Sequence, residues 1–148
     1  MRPIHARTEQ HWGTKMAITP VKTLVAEAKQ QIETLSPAAA VTAVAQGTAL
    51  LVDLRDPREL AREGRIPGAF HAPRGMIEFW IDPQSPYFKP ALATGQKLIF
   101  FCASGWRSAL TVKALTDMGV QNIAEIDGGF TEWRNQGQAL EMPEPKSS

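Results

Sequence analysis

The chain has one cysteine in 148 residues, which excludes an internal disulfide framework and a cysteine-rich zinc site. Its three histidines, His5, His11 and His71, are too scattered to suggest a metal cluster. No apolar run approaches the ~20 residues of a membrane span. The opening stretch, MRPIHARTEQHWGTK, lacks the apolar segment of a secretory signal. A formal net charge of +1 offers no electrostatic reason to expect nucleic acid or a membrane surface as partner. There is no internal repeat and no low-complexity tract. These absences together predict one cytoplasmic domain without metal or cofactor. What is present suits that reading: 43% hydrophobic and 21% charged residues, with enough chain to bury a core.

Local signals place the elements. Thr19-Pro20 reads as an N-cap followed by proline at the first helical position, and Val21, Leu24, Val25, Ala28 and Ile32 recur at helical spacing to about Gln31. Ser36-Pro37 repeats that start, with AAAVTAVAQ running to Gly47. ALLVDLR, Ala49 to Arg55, reads as a strand buried on both faces, and Asp56-Pro57 caps a short helix closed by Gly64. IPGAFHAP suggests an edge strand, GMIEFWI one or two helical turns, and DPQSPYFKPALATGQ a long polar loop. KLIFF is a second buried strand, Ser108 to Met118 an amphipathic helix, NIAEID a third strand and GGFTEWRNQG a last helix. Strands alternating with helices predict βαβ units and a mainly parallel sheet covered on both faces. In such sheets ligands bind beyond the carboxyl ends of strands, here after LLVDLR and after LIFFC.

The lone thiol lies at the second of these places. In CASGWRS, Ala103, Ser104 and Gly105 are small enough for a loop to curl around the sulfur of Cys102 with backbone N–H groups pointing inward. A helix starting near Ser108 adds its positive end, and Arg107 a permanent charge with a fork suited to an oxyanion. Such a loop stabilises a thiolate or a bound anion. The competing reading, that Cys102 is only the last small apolar residue of its strand, leaves the Gly, Ser and Arg without a purpose. Four residues separate Cys102 from Arg107, against five in cysteine phosphatases, so the ring is narrower than a tetrahedral phosphate asks.

Four motifs in order carry a resemblance: LLVDLRDPREL, GRIPGAFHAP (Gly64 to Pro73), CASGWRSA (Cys102 to Ala109) and IDGGFTEW (Ile126 to Trp133). None is specific alone; together they are. From about Ile32 to Gly137 the chain resembles a single-domain rhodanese, a sulfurtransferase of the rhodanese homology family. The resemblance implies an α/β, rhodanese-like fold with a five-stranded, mainly parallel sheet and helices on both faces, IETLS supplying a short strand. The residue pattern sets the domain at 19–139, with 1–18 an N-terminal extension and 140–148 a frayed tail. The resemblance maps the family's catalytic cysteine onto Cys102 and its loop onto Ala103, Ser104, Gly105, Trp106 and Arg107. The implied reaction is double displacement: a donor such as thiosulfate leaves a persulfide on Cys102, which an acceptor removes. With no second thiol in the chain, that acceptor is external: cyanide in an assay, or a small thiol, thioredoxin or another protein. The sequence departs from the family where Arg65 replaces a common His, where Ala103 follows the cysteine, and in the bulk of Trp106.

Other residues have supporting readings. Asp53 is expected to fix the loop by accepting backbone or arginine hydrogen bonds, with Arg55 paired behind it; the alternative is a pair that merely ends the strand. Arg74 reads as a surface arginine more than as an anion guide, Phe79 and Trp80 as core of their short helix, and Trp106 as an entrance residue. His71 reads as structural. Gly128 and Gly129 allow the turn before the last helix, and Phe130 and Trp133 bury its inner face. The alternatives to a sulfurtransferase are a partner-dependent sulfur carrier, a cysteine phosphatase or arsenate reductase, and a non-catalytic binding module.

Overall fold

KLIFF decides where the core sits. As strand β4, Lys97–Phe101, it alternates its side chains: Leu98 and Phe100 enter one apolar cluster, Ile99 and Phe101 another, and all four are buried. The computed structural model describes residues 17–143. In chain order it contains α1 (Val21–Lys29), β1 (Thr34–Leu35), α2 (Pro37–Ala45), β2 (Ala49–Asp53), α3 (Pro57–Glu63), β3 (Phe70–His71), α4 (Ile77–Ile81), β4, α5 (Trp106–Asp117), β5 (Ile123–Ile126) and α6 (Gly129–Asn135). Short 3-10 turns lie at Arg74–Met76 and Pro90–Leu92.

The five strands are all parallel, in the order β1-β5-β4-β2-β3. On one face α4 and α5 cover Val52, Leu98 and Phe100 with Ile77, Ile81, Val112 and Leu115. On the other, α2 and α6 cover Leu51, Ile99 and Phe101 with Ala40, Phe130 and Trp133. Helix α1 packs Val25 and Ala28 on Ala109 of α5. Asp53 at the end of β2 stands in register with Phe101 at the end of β4, and Leu54 N–H donates to the Phe101 carbonyl at 2.9 Å. The two expected site positions therefore leave the sheet side by side.

Several local expectations are corrected. Pro20, not Thr19, occupies the N-cap of α1, because its ψ of 141° keeps it extended, and no side chain caps that helix. Strand β2 stops at Asp53 rather than Arg55, since the Asp53 carboxylate takes the Arg55 N–H at 3.0 Å and turns the chain. Helix α5 starts two residues before Ser108, at Trp106, because Gly105 adopts φ 105° and feeds straight into it. The long loop after α4 is not wholly polar: Leu92 is buried. Phe79 is exposed and meets Tyr87 edge-on at 6.5 Å, while Trp80 packs edge-on to Phe70 against the core. The expected fraying from Leu140 is not seen at its start: Arg65 and Glu141 exchange both backbone hydrogen bonds, and Leu140 packs on the second cluster. Residues 1–16 and 144–148 of the expected extension and tail lie outside the described residues.

Candidate active site

Cys102 follows the last residue of β4 and is buried, 1% exposed. Gly105 N–H donates to its sulfur at 3.2 Å, and Ser108 Oγ lies 3.7 Å from the same atom. The loop is held from outside by α6. Phe130 N–H donates to the Cys102 carbonyl at 2.8 Å, and Thr131 N–H to the Ala103 carbonyl at 3.0 Å. With those carbonyls turned towards α6, the loop is free to present Gly105 N–H to the sulfur. Gly129 makes the approach possible: at φ 60°, a Cβ there would lie 2.4 Å from the Cys102 carbonyl oxygen. Ala103 is half-buried, Ser104 and Trp106 are exposed, and Gly105 is buried.

Arg107 sits in the first turn of α5, but its fork does not stand open. Nη1 and Nη2 donate to Glu59 Oε2 and Oε1 at 2.8 and 2.9 Å. The Arg107 hydrogen bonds pull the Glu59 carboxyl down to about 2. The same bonds raise Arg107 above its ordinary range, with a further contribution from the neighbouring Cys102 side chain. Glu59 also closes a capping box on Asp56, so α3 and α5 are tied at their first turns.

Asp53 and Arg55 form a buried ion pair. Arg55 Nη2 donates to Asp53 Oδ2 at 2.7 Å and Nε to Oδ1 at 3.0 Å, and Nη2 also reaches the Gly64 carbonyl at 3.0 Å. The guanidinium carbon stacks 4.0 Å from the centre of the Phe130 ring, with Phe101 at 5.9 Å. Asp53 accepts backbone and arginine hydrogen bonds, as expected, and both come from Arg55 rather than from the Cys102 loop. The pair bears on the loop through Phe130, whose N–H holds the Cys102 carbonyl. His71 contacts the Arg55 carbonyl through Nε2. Arg74 is engaged by Glu78 at 2.9 Å, consistent with the surface reading.

Three contributors escaped sequence reading. Glu125 on β5 is wholly buried and accepts from Ser108 Oγ at 2.7 Å, Lys29 Nζ at 2.6 Å and Thr34 Oγ1 at 3.0 Å. The signal for it was a carboxylate inside the apolar run IAEI, a position where charge is rarely buried unpaired. Glu59 showed only as the third residue of a capping box, and Lys29 as an ordinary helix-end lysine. Among the described residues no group of three or more His, Cys, Asp or Glu is placed to hold a metal, and no helix is long and apolar enough to cross a membrane.

Among curated proteins, a sulfurtransferase of Allochromatium vinosum is 30% identical over 95 residues, 64% of this chain and 80% of that protein. The 3-mercaptopyruvate sulfurtransferase of Escherichia coli K12 is 27% identical over 114 residues, which span 66% of this chain and 40% of the enzyme. Among solved structures, a Rhodopseudomonas palustris protein of unknown function, described as a possible tyrosine phosphatase, superposes with a TM-score of 0.80 at 46% identity, over 86% of this chain and 98% of that one. The polysulfide-sulfur transferase homodimer of Wolinella succinogenes superposes at 0.63 with 28% identity, over 82% and 86% of the two chains. The model of the rhodanese-like domain matches residues 36–136, which take in β2 to β5 and α2 to α6. On that match the chain belongs to the rhodanese-like domain family, and the two curated relatives described above are sulfurtransferases.

Proposed function

We propose that the protein is a sulfurtransferase that carries sulfane sulfur on Cys102 as a persulfide. The observation that supports this most is the Gly105 N–H aimed at the Cys102 sulfur at 3.2 Å, in a loop whose neighbouring carbonyls are taken by α6. With thiosulfate, the Cys102 thiolate attacks the outer sulfur. The S–S bond of the donor breaks, its electron pair leaves with sulfite, and a persulfide remains. Cyanide or a thiolate then attacks the terminal sulfur, and Cys102 leaves as thiolate. The Gly105 amide offsets negative charge at the sulfur in both steps. Arg107 contributes its field and the ordering of the first turn, because Glu59 occupies its fork.

The phosphatase reading has less support. Between Cys102 and Arg107 there are four residues, and both terminal nitrogens of Arg107 are already bonded to the Glu59 carboxylate. A partner-dependent sulfur carrier uses the same persulfide and differs in its donor. The deciding experiment is intact mass after incubation with thiosulfate, and separately with mercaptopyruvate, for the wild type and Cys102→Ser. The expected result is a gain of one sulfur (about 32 Da) on the wild type alone, reversed by cyanide. No gain from either donor, with Cys102 still alkylated, refutes the small-donor enzyme.

A further inference from the structure

Glu125 is a carboxylate in the middle of a central region of the sheet, 0% exposed, where its neighbours Ala124 and Ile126 are apolar. Burying such a charge is costly unless it is paired and hydrogen-bonded. Here it is both. Lys29 and Thr34 occupy Oε2, and Ser108 occupies Oε1. An ionised carboxylate only accepts, so the single proton of Ser108 is directed at Glu125. The lone pairs of Ser108 Oγ are left for the Cys102 sulfur, 3.7 Å away. Of the two protein groups hydrogen-bonded to that sulfur among the described residues, Gly105 N–H can only donate, so the hydroxyl alone can take a proton. With Cys102 1% exposed, bulk water is a poor sink for the thiol proton.

We propose that Glu125, fixed by Lys29 and Thr34, is a positioning residue that receives the Cys102 thiol proton through Ser108. The proposal rests on Cys102 as the sulfur-carrying nucleophile. The thiol proton passes to Ser108 Oγ as the Ser108 proton passes to Glu125 Oε1. The thiolate attacks the sulfane sulfur, and sulfite departs with the bond's electron pair. After the acceptor removes the sulfur, the regenerated thiolate takes its proton back by the reverse path. The proton is thus kept within the protein across the cycle, and no further reagent is needed. Lys29, with its side chain 34% exposed, is the charged partner of the carboxylate at 2.6 Å. The other charge acting on the sulfur is Arg107 of α5, tied to Glu59 of α3. Glu33, next to β1, is tied to Lys97 of β4, and Asp127 beyond β5 is exposed.

The test is the pH dependence of Cys102 alkylation by iodoacetamide and of single-turnover sulfur transfer from thiosulfate, on wild type, Glu125→Gln and Lys29→Met. With the relay, reaction does not wait for thiolate in bulk equilibrium, and the wild-type rates are expected to change less than about threefold between pH 6.5 and 8.5. Without it, only free thiolate reacts, and with an ordinary thiol pKa of about 8.5 the Glu125→Gln rate rises nearly tenfold per pH unit at first and about 50-fold over that range. Lys29→Met unpairs the buried carboxylate, which then binds a proton more readily, so the acid limb moves to higher pH. Parallel profiles for wild type and Glu125→Gln overturn the proposal, as does a Glu125→Gln protein that reacts faster at pH 6.5. If Glu125→Gln does not fold, an acid limb unmoved in Lys29→Met overturns it. Divergent alkylation profiles without any sulfur gain leave the relay standing and refute the sulfurtransferase reading instead.

Discussion

Replacing Gly129 by alanine tests whether α6 sets the geometry of the cysteine. The added Cβ lies 2.4 Å from the Cys102 carbonyl oxygen and 3.0 Å from the Ala103 carbonyl carbon, both backbone atoms that cannot rotate away. The residue must also keep φ 60°, which costs an L-residue about 1–2 kcal/mol. Relieving the contact separates α6 from the loop and breaks the two hydrogen bonds from Phe130 and Thr131, at about 1 kcal/mol each. The sum is about 3–4 kcal/mol, or a fall in Tm of about 12 °C for a chain of this size. Gly47→Ala is the control. It has φ 75° and nothing within 4 Å of its Cβ, so it carries only the conformational cost, about 1–2 kcal/mol. It also lies near Lys97 at the opposite ends of the strands, away from the thiol. Thermal melts and sulfur-transfer rates of both variants give the comparison. Gly129→Ala is expected to melt well below Gly47→Ala and to lose at least tenfold in rate, while Gly47→Ala keeps the wild-type rate. Equal melting points with turnover intact in both would refute the claim that α6 pins the loop.

Asp53→Asn removes one partner of a pair that is buried on both sides, and chemical denaturation should show a loss of about 3–5 kcal/mol; a loss below about 1 kcal/mol would mean that the pair is not sealed from water. Glu59→Gln should destabilise at neutral pH and progressively less in acid. The carboxyl is held at about 2 against 4.5 unpaired, so its contribution is fully present above pH 4.5 and disappears as pH falls through 2. Melts of wild type and variant from pH 7 to pH 2 should therefore converge, and a gap that does not change with pH contradicts the ion pair as its source.

Much of the fold is legible because its signals are local. KLIFF is too short and apolar for anything but a covered strand, and it forms over Lys97–Phe101 as read. Ser36 and Asp56 cap their helices through side chains, as their types suggest, each followed by proline. Thr19-Pro20 carries the same signature, yet no cap bond forms. Phe79 failed because hydrophobicity says that a side chain gains from cover, not that cover is within reach; α4 is a helix of five residues with its buried side taken by Ile77 and Ile81. The candidate site was legible where its residues are concentrated in one stretch, from Cys102 to Ser108. Its long-range ties were not: Glu59 stands 48 residues from Arg107, and Glu125 stands 96 from Lys29. Such pairings follow from strand order, which no single segment encodes.

The hydrogen-bond donor at the sulfur is a main-chain group, and the loop that carries it is anchored by main-chain groups of α6. The side chains of Ser104 and Trp106 point to solvent and have no part in either set of bonds. The polarity at the sulfur and the surface around it thereby belong to different atoms of the same short segment. Substitution at the exposed positions can therefore reshape what approaches the sulfur while the hydrogen bonds around it stay as they were.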